Sequence, residues 1–447
     1  MANTGGRWHS RLSPAGSESP MHRLVAAGRR PRSGREVVVV TVTAAVAAAA
    51  ALASLQSSGA PVLQPAFLES RSQHPMLQTP MQLRARLPLP QRLRRFVNES
   101  RAQVSAVLEG VDDRLIAVVG PCSIHDPAAA REYAHSLQQA AETYSDDLLI
   151  IMRTYLEKPR TSVGWRGLVS DPDLSGAEDL ERGVALGRRV LLDVVAAGLP
   201  AAVEFLDPLA APYFEDIVSY GSIGARTVES PSHRAMAAAL PMPIGFKNSR
   251  NGDVQSAVNA IIASASPQRR LAVDATGRLR VLEAPGNPAG HIVLRGGEEG
   301  PNYSNVSVAD AAARLAKAGL GGPRIVVDCS HGNSRKRHEK QLDACRDVAD
   351  QVAEGSTTIG GVMIESFLEA GNQPFEPGVT KRSELRYGCS ITDACLDFGT
   401  TEMLLRELAA ASQARRSRGI LSWREAASAE TSSATGGDPA AGSPGSD

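Results

Sequence analysis

Short runs of apolar, largely β-branched residues recur along the middle of this chain, and each run ends in a polar residue. Eight of them are found, at residues 114–120, 147–154, 201–205, 222–226, 243–247, 291–295, 324–330 and 360–366. Near-continuous apolar runs of this length are typical of strands that are buried on both faces. Most of the intervening segments, such as 127–144 and 178–198, have helical spacing. Eight such alternations predict an α/β fold, a (β/α)8 TIM barrel, with an open doubly wound sheet as the alternative.

Two segments depart from this alternation. Residues 92–110 have a helical pattern and precede the first strand, which predicts a short helical extension packed ahead of the barrel. Residues 271–284, LAVDATGRLRVLEA, alternate between apolar and polar positions around Ala-Thr-Gly. This pattern predicts a β-hairpin that is inserted after the fifth strand–helix unit.

The two ends of the chain differ from the middle in composition. Within residues 1–75, seven arginines and only two glutamates precede the apolar run Val37 to Ala53. This order imitates a secretory signal, but the run is rich in alanine and short for a membrane span. We expect either a disordered leader or a targeting segment there. A catalytic unit is expected over 76–412 and a disordered tail, rich in Ser, Ala and Gly, over 413–447.

The overall charge and the cysteines narrow the choice of partner and compartment. The chain has 48 basic and 48 acidic residues, and only 4% of its residues are aromatic. This balance gives no general attraction to nucleic acid or to membrane surfaces, so we expect no nucleic-acid partner. The five cysteines form no CxxC pair, which argues against a disulfide framework and favours a reducing, cytoplasmic location.

A polar or metal-capable side chain follows each predicted strand. Because the carboxyl ends of barrel strands meet at one rim, and active sites lie there, these side chains are the candidate functional site. Any one of them has an ordinary explanation as a loop charge, a helix cap or a core thiol. Together they are harder to dismiss. In chain order they are Cys122, Arg153, Glu204, Arg226, Lys247, Arg295, His331 and Glu365, with Asp393 after the last strand.

Four of these residues are cations and four form a possible metal site. Arg153, Arg226, Lys247 and Arg295 suit a substrate with a carboxylate and a phosphate, since guanidinium groups pair with both. The sulfur, nitrogen and oxygen donors suit a divalent transition metal ion rather than magnesium, which does not favour a thiolate. Their wide separation in the sequence leaves open whether Cys122 is a ligand or a core thiol. The four metal-capable residues are Cys122, His331, Glu365 and Asp393.

Nine ordered motifs resemble the type I 3-deoxy-D-arabino-heptulosonate 7-phosphate (DAHP) synthases over roughly residues 76–412. They are GPCSIHD, MRTYLEKPRTSVGWRGL, VEFLDP, GARTVES, GFKN, HIVLRGG, PNYS, DCSHGNS and SITDAC. The resemblance implies a transferase that condenses phosphoenolpyruvate with erythrose 4-phosphate and water, releasing phosphate. This reaction is the first step of the shikimate pathway, which leads to chorismate and the aromatic amino acids.

The resemblance also implies roles for individual residues. One divalent transition metal ion (Mn, Fe, Co, Cu or Zn) is expected on the four metal-capable residues. The four cations are expected to hold phosphoenolpyruvate, with Glu204 beside them in the substrate site. Lys158, Arg160 and Thr161 of KPRT are expected to take the aldose phosphate. Of these residues, we expect Lys247, Arg153 and Lys158 to be catalytic.

Several segments depart from the family pattern. Ala239 to Pro243, before the GFKN strand, and Ala210 to Tyr213 differ from the usual sequences, and GFKNSRNG carries Arg250 and Asn251. These changes fall where the family has its effector pocket and subunit contacts. A homo-oligomer is expected from the resemblance, whereas inhibition by an aromatic amino acid is left open.

Two other functions compete with this interpretation. A Schiff-base aldolase would use Lys247 as its nucleophile, although that chemistry needs no metal-capable set. A catalytically silent paralogue would serve as a binding or regulatory subunit. We expect such a paralogue to have lost a metal-capable residue or a cation, and none is lost here.

Overall fold

The computed structural model describes residues 76–160 and 163–418. Ten strands occur in these residues. In chain order they are β1 (Leu115–Gly120), β2 (Leu148–Arg153), β3 (Ala201–Glu204), β4 (Tyr220–Ile223), β5 (Ile244–Lys247), β6 (Gln268–Val273), β7 (Leu279–Ala284), β8 (Gly290–Leu294), β9 (Ile325–Asp328) and β10 (Ile359–Glu365).

Eight of the strands close into a parallel barrel, in the order β1-β10-β9-β8-β5-β4-β3-β2. Each of the eight is buried along its whole length, as the continuous apolar runs predicted. The (β/α)8 TIM barrel is therefore confirmed, and the open doubly wound sheet is wrong. The remaining two strands, β6 and β7, pair antiparallel as the predicted inserted hairpin.

Ten α-helices accompany the strands in the described residues. They are α1 (Pro80–Arg86), α2 (Gln91–Leu108), α3 (Pro127–Thr143), α4 (Leu180–Ala196), α5 (Ala211–Phe214), α6 (Pro231–Ala237), α7 (Gln255–Ala265), α8 (Asn305–Lys317), α9 (Gln341–Ala353) and α10 (Phe398–Ser417). The predictions of helices at 92–110, 127–144 and 178–198 are confirmed as α2, α3 and α4. The sequence explains why α3 begins where it does. The Asp126 carboxylate caps the helix by accepting a hydrogen bond from the Ala128 N–H at 2.8 Å, and Pro127 is the first helical residue.

Helix α2 covers the amino end of the barrel. Its residues Val104, Val107 and Leu108 pack in one apolar cluster with Ile116 and other residues that point into the barrel. Leu108 lies so close to Gly360, at the start of β10, that a side chain at that glycine would touch it. The barrel is therefore filled and closed at this end, and its functional rim is the other one.

Two predicted strand boundaries need correction, and the predicted end of the catalytic unit falls inside a helix. The fourth strand was predicted at 222–226 but spans Tyr220–Ile223, because the chain leaves the ladder with β5 at Gly224 and enters a turn. The hairpin begins at Gln268, three residues before its predicted start. The predicted end of the catalytic unit at 412 falls inside α10, where Ser412 is buried, and the helix continues to Ser417.

Some predictions fall on residues that the structure does not describe. These are the leader over 1–75, Thr161 of KPRT, and the tail beyond residue 418. Among the helices of the described residues, none is both long enough and apolar enough to cross a membrane.

Candidate active site

The last residues of several barrel strands point into the barrel at its carboxyl rim. Ile151 and Met363 belong to the apolar cluster inside the barrel. Since side chains alternate along a strand, two further positions bring Arg153 and Glu365 to the same inner face. The terminal residues of three other strands face the same space, and these are Glu204, Lys247 and Asp328.

A cavity of about 750 Å³ opens at this rim, and positive charge dominates its lining. Nine Lys or Arg side chains line it, against four Asp or Glu side chains. Such an excess of one charge in a concave site attracts small anions. The nine cations are Arg153, Lys158, Arg160, Arg226, Lys247, Arg250, Arg295, Arg335 and Lys336.

Three of the four predicted metal ligands come together beside this cavity. One donor atom from each of Cys122, Glu365 and Asp393 lies within 4.8 Å of the other two. Cys122 and Glu365 are buried, at 0% and 2% exposure, whereas Asp393 is partly exposed. A thiol and two carboxylates in such proximity have donors that suit a divalent transition metal ion.

Lys158 supplies positive charge to this group. Its Nζ donates hydrogen bonds to Cys122 Sγ at 2.7 Å and to Asp393 Oδ2 at 2.8 Å. Burial and the nearby Glu365 carboxylate raise the pKa of the Cys122 thiol to about 12, while Lys158 holds the pKa of Asp393 below its usual range. A divalent cation would offset the same negative charge and stabilise the thiolate, so the residues present fit a metal ion.

His331 lies at the edge of this group and is not among its three members. Its Nε2 is 3.6 Å from Glu365 Oε1, and its Nδ1 is 2.6 Å from Ser330 Oγ. The backbone at His331 has φ +56°, in the left-handed region that non-glycine residues seldom adopt. Strain of this kind persists where the surrounding structure fixes a functional side chain. The predicted set of four is thus three clustered residues with His331 next to Glu365.

Arg153 is fully buried and connects the metal-capable group to the cavity. Its Nη2 donates to Glu365 Oε1 at 2.9 Å and to the Cys122 carbonyl at 3.2 Å. Its guanidinium carbon also lies 3.6 Å from the centre of the Tyr155 ring, within the range of a cation–π contact. Arg153 therefore holds Cys122 and Glu365 in place while its charge contributes to the cavity.

Lys247 forms a second buried charge cluster. Its Nζ is 3.1 Å from Asp328 Oδ2 and 3.8 Å from Glu204 Oε2. Glu204 is confined in turn, because a side chain at Gly224 would lie 2.3 Å from its Oε1. Burial alone lowers the pKa of Lys247, but Tyr155 and Asp328 raise it to a value above the ordinary one. The ammonium is therefore held in its charged form.

The remaining predicted cations are more exposed than Arg153 and Lys247. The backbone N–H of Arg295 donates to Asn248 Oδ1 at 2.8 Å, which fixes the start of its loop. Arg226 and Arg160 are exposed residues that line the cavity. Arg226 lies in the turn after β4 rather than in the strand, so its position is set by that turn.

Sequence reasoning missed two buried residues of this site. Asp328 carries the carboxylate that faces Lys247, and Tyr155 provides the ring beneath Arg153. The alternation in IVVD places Asp328 inward at the end of β9, so a signal for it was present. Tyr155 lies two residues beyond β2, where no strand periodicity applies.

The fold and this cavity define a (β/α)8-barrel enzyme with an anion-binding active site at the carboxyl rim. The model of the DAHP synthetase I family matches residues 94–406. The chain therefore belongs to the DAHP synthetase I family, and the prediction made from the nine motifs is confirmed.

Individual relatives cover most of the chain. The Tyr-sensitive phospho-2-dehydro-3-deoxyheptonate aldolase of Escherichia coli (strain K12) is 45% identical over 333 residues, 74% of this chain and 92% of that protein. The Trp-sensitive enzyme of Enterobacter agglomerans is 47% identical over 333 residues, 74% of this chain and 94% of that protein. The solved structure of phospho-2-dehydro-3-deoxyheptonate aldolase from Francisella tularensis SCHU S4 has a TM-score of 0.74 and 44% identity, and the match covers 77% of this chain and 99% of that one.

Proposed function

We propose that this protein condenses phosphoenolpyruvate with erythrose 4-phosphate and water to give DAHP and phosphate. The observation that carries the proposal is the cationic cavity, which adjoins the thiol and two carboxylates at the carboxyl rim of the barrel. Both substrates are multiply charged anions. The name phospho-2-dehydro-3-deoxyheptonate aldolase, borne by relatives that are 45% identical or more, supports the same reaction.

The inner cations form the site for phosphoenolpyruvate. Lys247 and Arg295 contribute charge from the inner wall, and Arg226 adds a guanidinium from the turn after β4. Guanidinium groups bind carboxylate and phosphate through paired hydrogen bonds, which fixes the plane of the enol phosphate. Arg153 contributes charge, but most of its donors are used by Glu365 and by main-chain carbonyls.

The aldose phosphate occupies the mouth beside Lys158 and Arg160. Both residues line the cavity, and Thr161 of the same motif belongs to this site by resemblance to the family. Holding the two reactants side by side turns a bimolecular encounter into an oriented one. The third carbon of phosphoenolpyruvate bonds to the aldehyde carbon, whose oxygen gains a proton. Water adds to the second carbon, and phosphate leaves with the enol oxygen.

One divalent transition metal ion completes the proposed site. Cys122, Glu365 and Asp393 would hold it, with His331 as the fourth ligand. When bound, the ion supplies Lewis acidity that makes the aldehyde carbon more electrophilic. Lys158 lies within hydrogen-bonding distance of two of these residues and can donate a proton to the new alkoxide. Arg153 keeps the ligand geometry by bonding Glu365.

The ion pair at Lys247 disfavours the Schiff-base alternative. A Schiff base needs a neutral amine, whereas Lys247 is held charged 3.1 Å from Asp328. Borohydride treatment in the presence of substrate separates the two mechanisms, because it traps only a Schiff base. Covalent labelling of Lys247 would overturn the proposed mechanism.

Phosphate release by the purified full-length protein tests the function itself. The assay contains both substrates and one added metal ion at a time, and it is repeated without erythrose 4-phosphate and with a chelator. We expect release only with both substrates and a metal, and equal amounts of phosphate and DAHP. Absence of turnover with every metal ion would favour the silent paralogue.

The same proposal extends to organisation and regulation. We propose a catalytic unit that begins near residue 76, a cytoplasmic location and a homo-oligomer. Relatives named Tyr-sensitive and Trp-sensitive suggest an aromatic amino acid as effector. Initial rates with added phenylalanine, tyrosine or tryptophan, together with the mass in solution, test these points.

A further inference from the structure

The Asp328 carboxylate is buried at the end of β9 and is shared by two functional side chains. Asp328 is 0% exposed. Oδ2 lies 3.1 Å from Lys247 Nζ and 3.0 Å from His331 Nδ1. Neither contact at Oδ2 has the angles of a directed hydrogen bond, so both are chiefly electrostatic. A single oxygen thus faces the anion-binding lysine and the proposed fourth metal ligand.

The other oxygen of Asp328 is occupied by Ser330. Oδ1 accepts from the Ser330 N–H at 3.1 Å and from the Ser330 hydroxyl at 2.6 Å. Because the hydroxyl proton goes to Asp328, Ser330 Oγ acts as the acceptor in its 2.6 Å contact with His331 Nδ1. The proton of a neutral His331 ring is therefore on Nδ1, which also faces the Asp328 charge.

This arrangement leaves His331 Nε2 with a free lone pair. Nε2 is the ring atom that faces Glu365, at 3.6 Å from Oε1. A metal-binding histidine commonly donates its other N–H to a carboxylate or hydroxyl, which fixes the tautomer and the direction of the ring. The strained backbone at His331 is consistent with a side chain that is fixed by its surroundings.

We propose that Asp328 is a positioning residue that fixes the tautomer of His331 and the place of Lys247 at the same time. This inference rests on the proposed function, since it assumes that His331 binds the metal and Lys247 binds phosphoenolpyruvate. It links two sites that are otherwise separate. Loss of the Asp328 charge is expected to weaken metal binding and phosphoenolpyruvate binding together.

Asp328→Asn is the variant that tests the link, because it removes the charge and keeps the shape. Its amide group presents N–H donors toward Lys247 or His331 Nδ1, and the second case favours the tautomer with Nε2 protonated. We expect the dissociation constant for Mn²⁺, measured by equilibrium dialysis without substrates, to rise about 10- to 100-fold. We also expect the KM for phosphoenolpyruvate to rise more than the KM for erythrose 4-phosphate.

Three comparisons separate positioning from general damage. Asp343→Asn removes an exposed carboxylate, paired with Lys340 on the protein surface, and should leave both constants unchanged. Ser330→Ala should weaken Mn²⁺ binding but spare the KM for phosphoenolpyruvate, because the Ser330 hydroxyl lies within hydrogen-bonding distance of Asp328 and His331 and does not line the cavity. In a His331→Ala background, Asp328→Asn should weaken Mn²⁺ binding little further, since its effect passes through the histidine.

The outcomes distinguish this inference from the proposed function. If the wild-type protein binds no Mn²⁺ and releases no phosphate, the proposed function fails. If the wild type binds Mn²⁺ and turns over, but Asp328→Asn binds Mn²⁺ and phosphoenolpyruvate equally well, the positioning role alone is refuted. Additive losses in the double variant would also refute it, because they would show that Asp328 acts independently of His331.

Discussion

The ammonium nitrogen of Lys158 lies 2.7 Å from the sulfur of Cys122. This contact answers part of the question that the sequence left open, because Cys122 packs in the main apolar cluster and yet its sulfur faces a lysine and a carboxylate. The sulfur is buried, yet its immediate partners are charged. The contact therefore favours a functional thiol over a packing one.

Cys122→Ala is expected to abolish bound metal and to lower the rate of phosphate release about 100-fold or more. The reason is that the change removes the one soft donor of the group while leaving the barrel strand intact. Metal content after dialysis and the initial rate check the two effects separately. Cys345→Ala is the matched control, since Cys345 is a buried cysteine on α9 that does not line the cavity. A Cys122→Ala protein that keeps its metal and its activity would show that the thiol serves packing.

Arg226→Lys is expected to raise the KM for phosphoenolpyruvate about 10-fold, although the charge is kept. A compact ammonium cannot reproduce the planar, two-point contact of a guanidinium with phosphate or carboxylate. Steady-state kinetics with phosphoenolpyruvate as the varied substrate measure the effect. Arg166→Lys is the control, because Arg166 forms an exposed pair with Glu178 and does not line the cavity. An unchanged KM in the Arg226 variant would remove this residue from the substrate site.

The wild-type protein is expected to lose free energy of unfolding as the pH rises from about 5 to about 7.5, and Glu157→Gln is expected to reduce this loss. Burial raises the pKa of Glu157 to about 7, and the Asp207 and Glu204 carboxylates add to this rise. An acid with a raised folded-state pKa binds its proton more tightly when folded, so stability falls as the pH rises from about 4.3 to about 7. Denaturant unfolding at both pH values measures the difference. The exposed Glu178→Gln serves as control, and equal pH dependence in wild type and Glu157→Gln would contradict the prediction.

A chain that begins at Met76 is expected to match the full chain in activity and in solubility. The physical reason is that the barrel strands, α2 and the described residues that line the cavity all follow residue 76. Cell fractionation of the full-length protein provides the second measurement. A full chain that sediments with membranes and resists salt washing, or a mature protein that begins near residue 54, would show that the leader has a function.

The apolar runs predicted the barrel strands well, because such a run depends only on whether a strand is buried on both faces. The run RLIAVVG becomes β1 and DLLIIMRT becomes β2 within one residue at each end, since both strands are covered on both faces. The fourth strand was displaced because its sequence, SIGAR, contains a glycine at which the ladder ends. A local turn of this kind leaves no trace in an apolar pattern.

The site was harder to predict than the fold. Strand ends identified Arg153, Lys247 and Glu365, whose direction follows from the alternation of side chains. The contact between Lys158 and Cys122 was not foreseen, because it joins the loop after β2 to the loop after β1. Nor does spacing reveal that Asp328 serves both Lys247 and His331, since tertiary packing brings Lys247 to the oxygen that also faces His331.

The closure of the amino end of the barrel by α2 bears on the order in which the substrates bind. Val104, Val107 and Leu108 pack against the barrel interior at that end, and the cavity opens at the carboxyl rim. Lys247 lies deep and buried, whereas Arg160 lies at the exposed entrance. If the two substrates bind at these residues as proposed, we expect the substrate at Lys247 to bind before the substrate at Arg160.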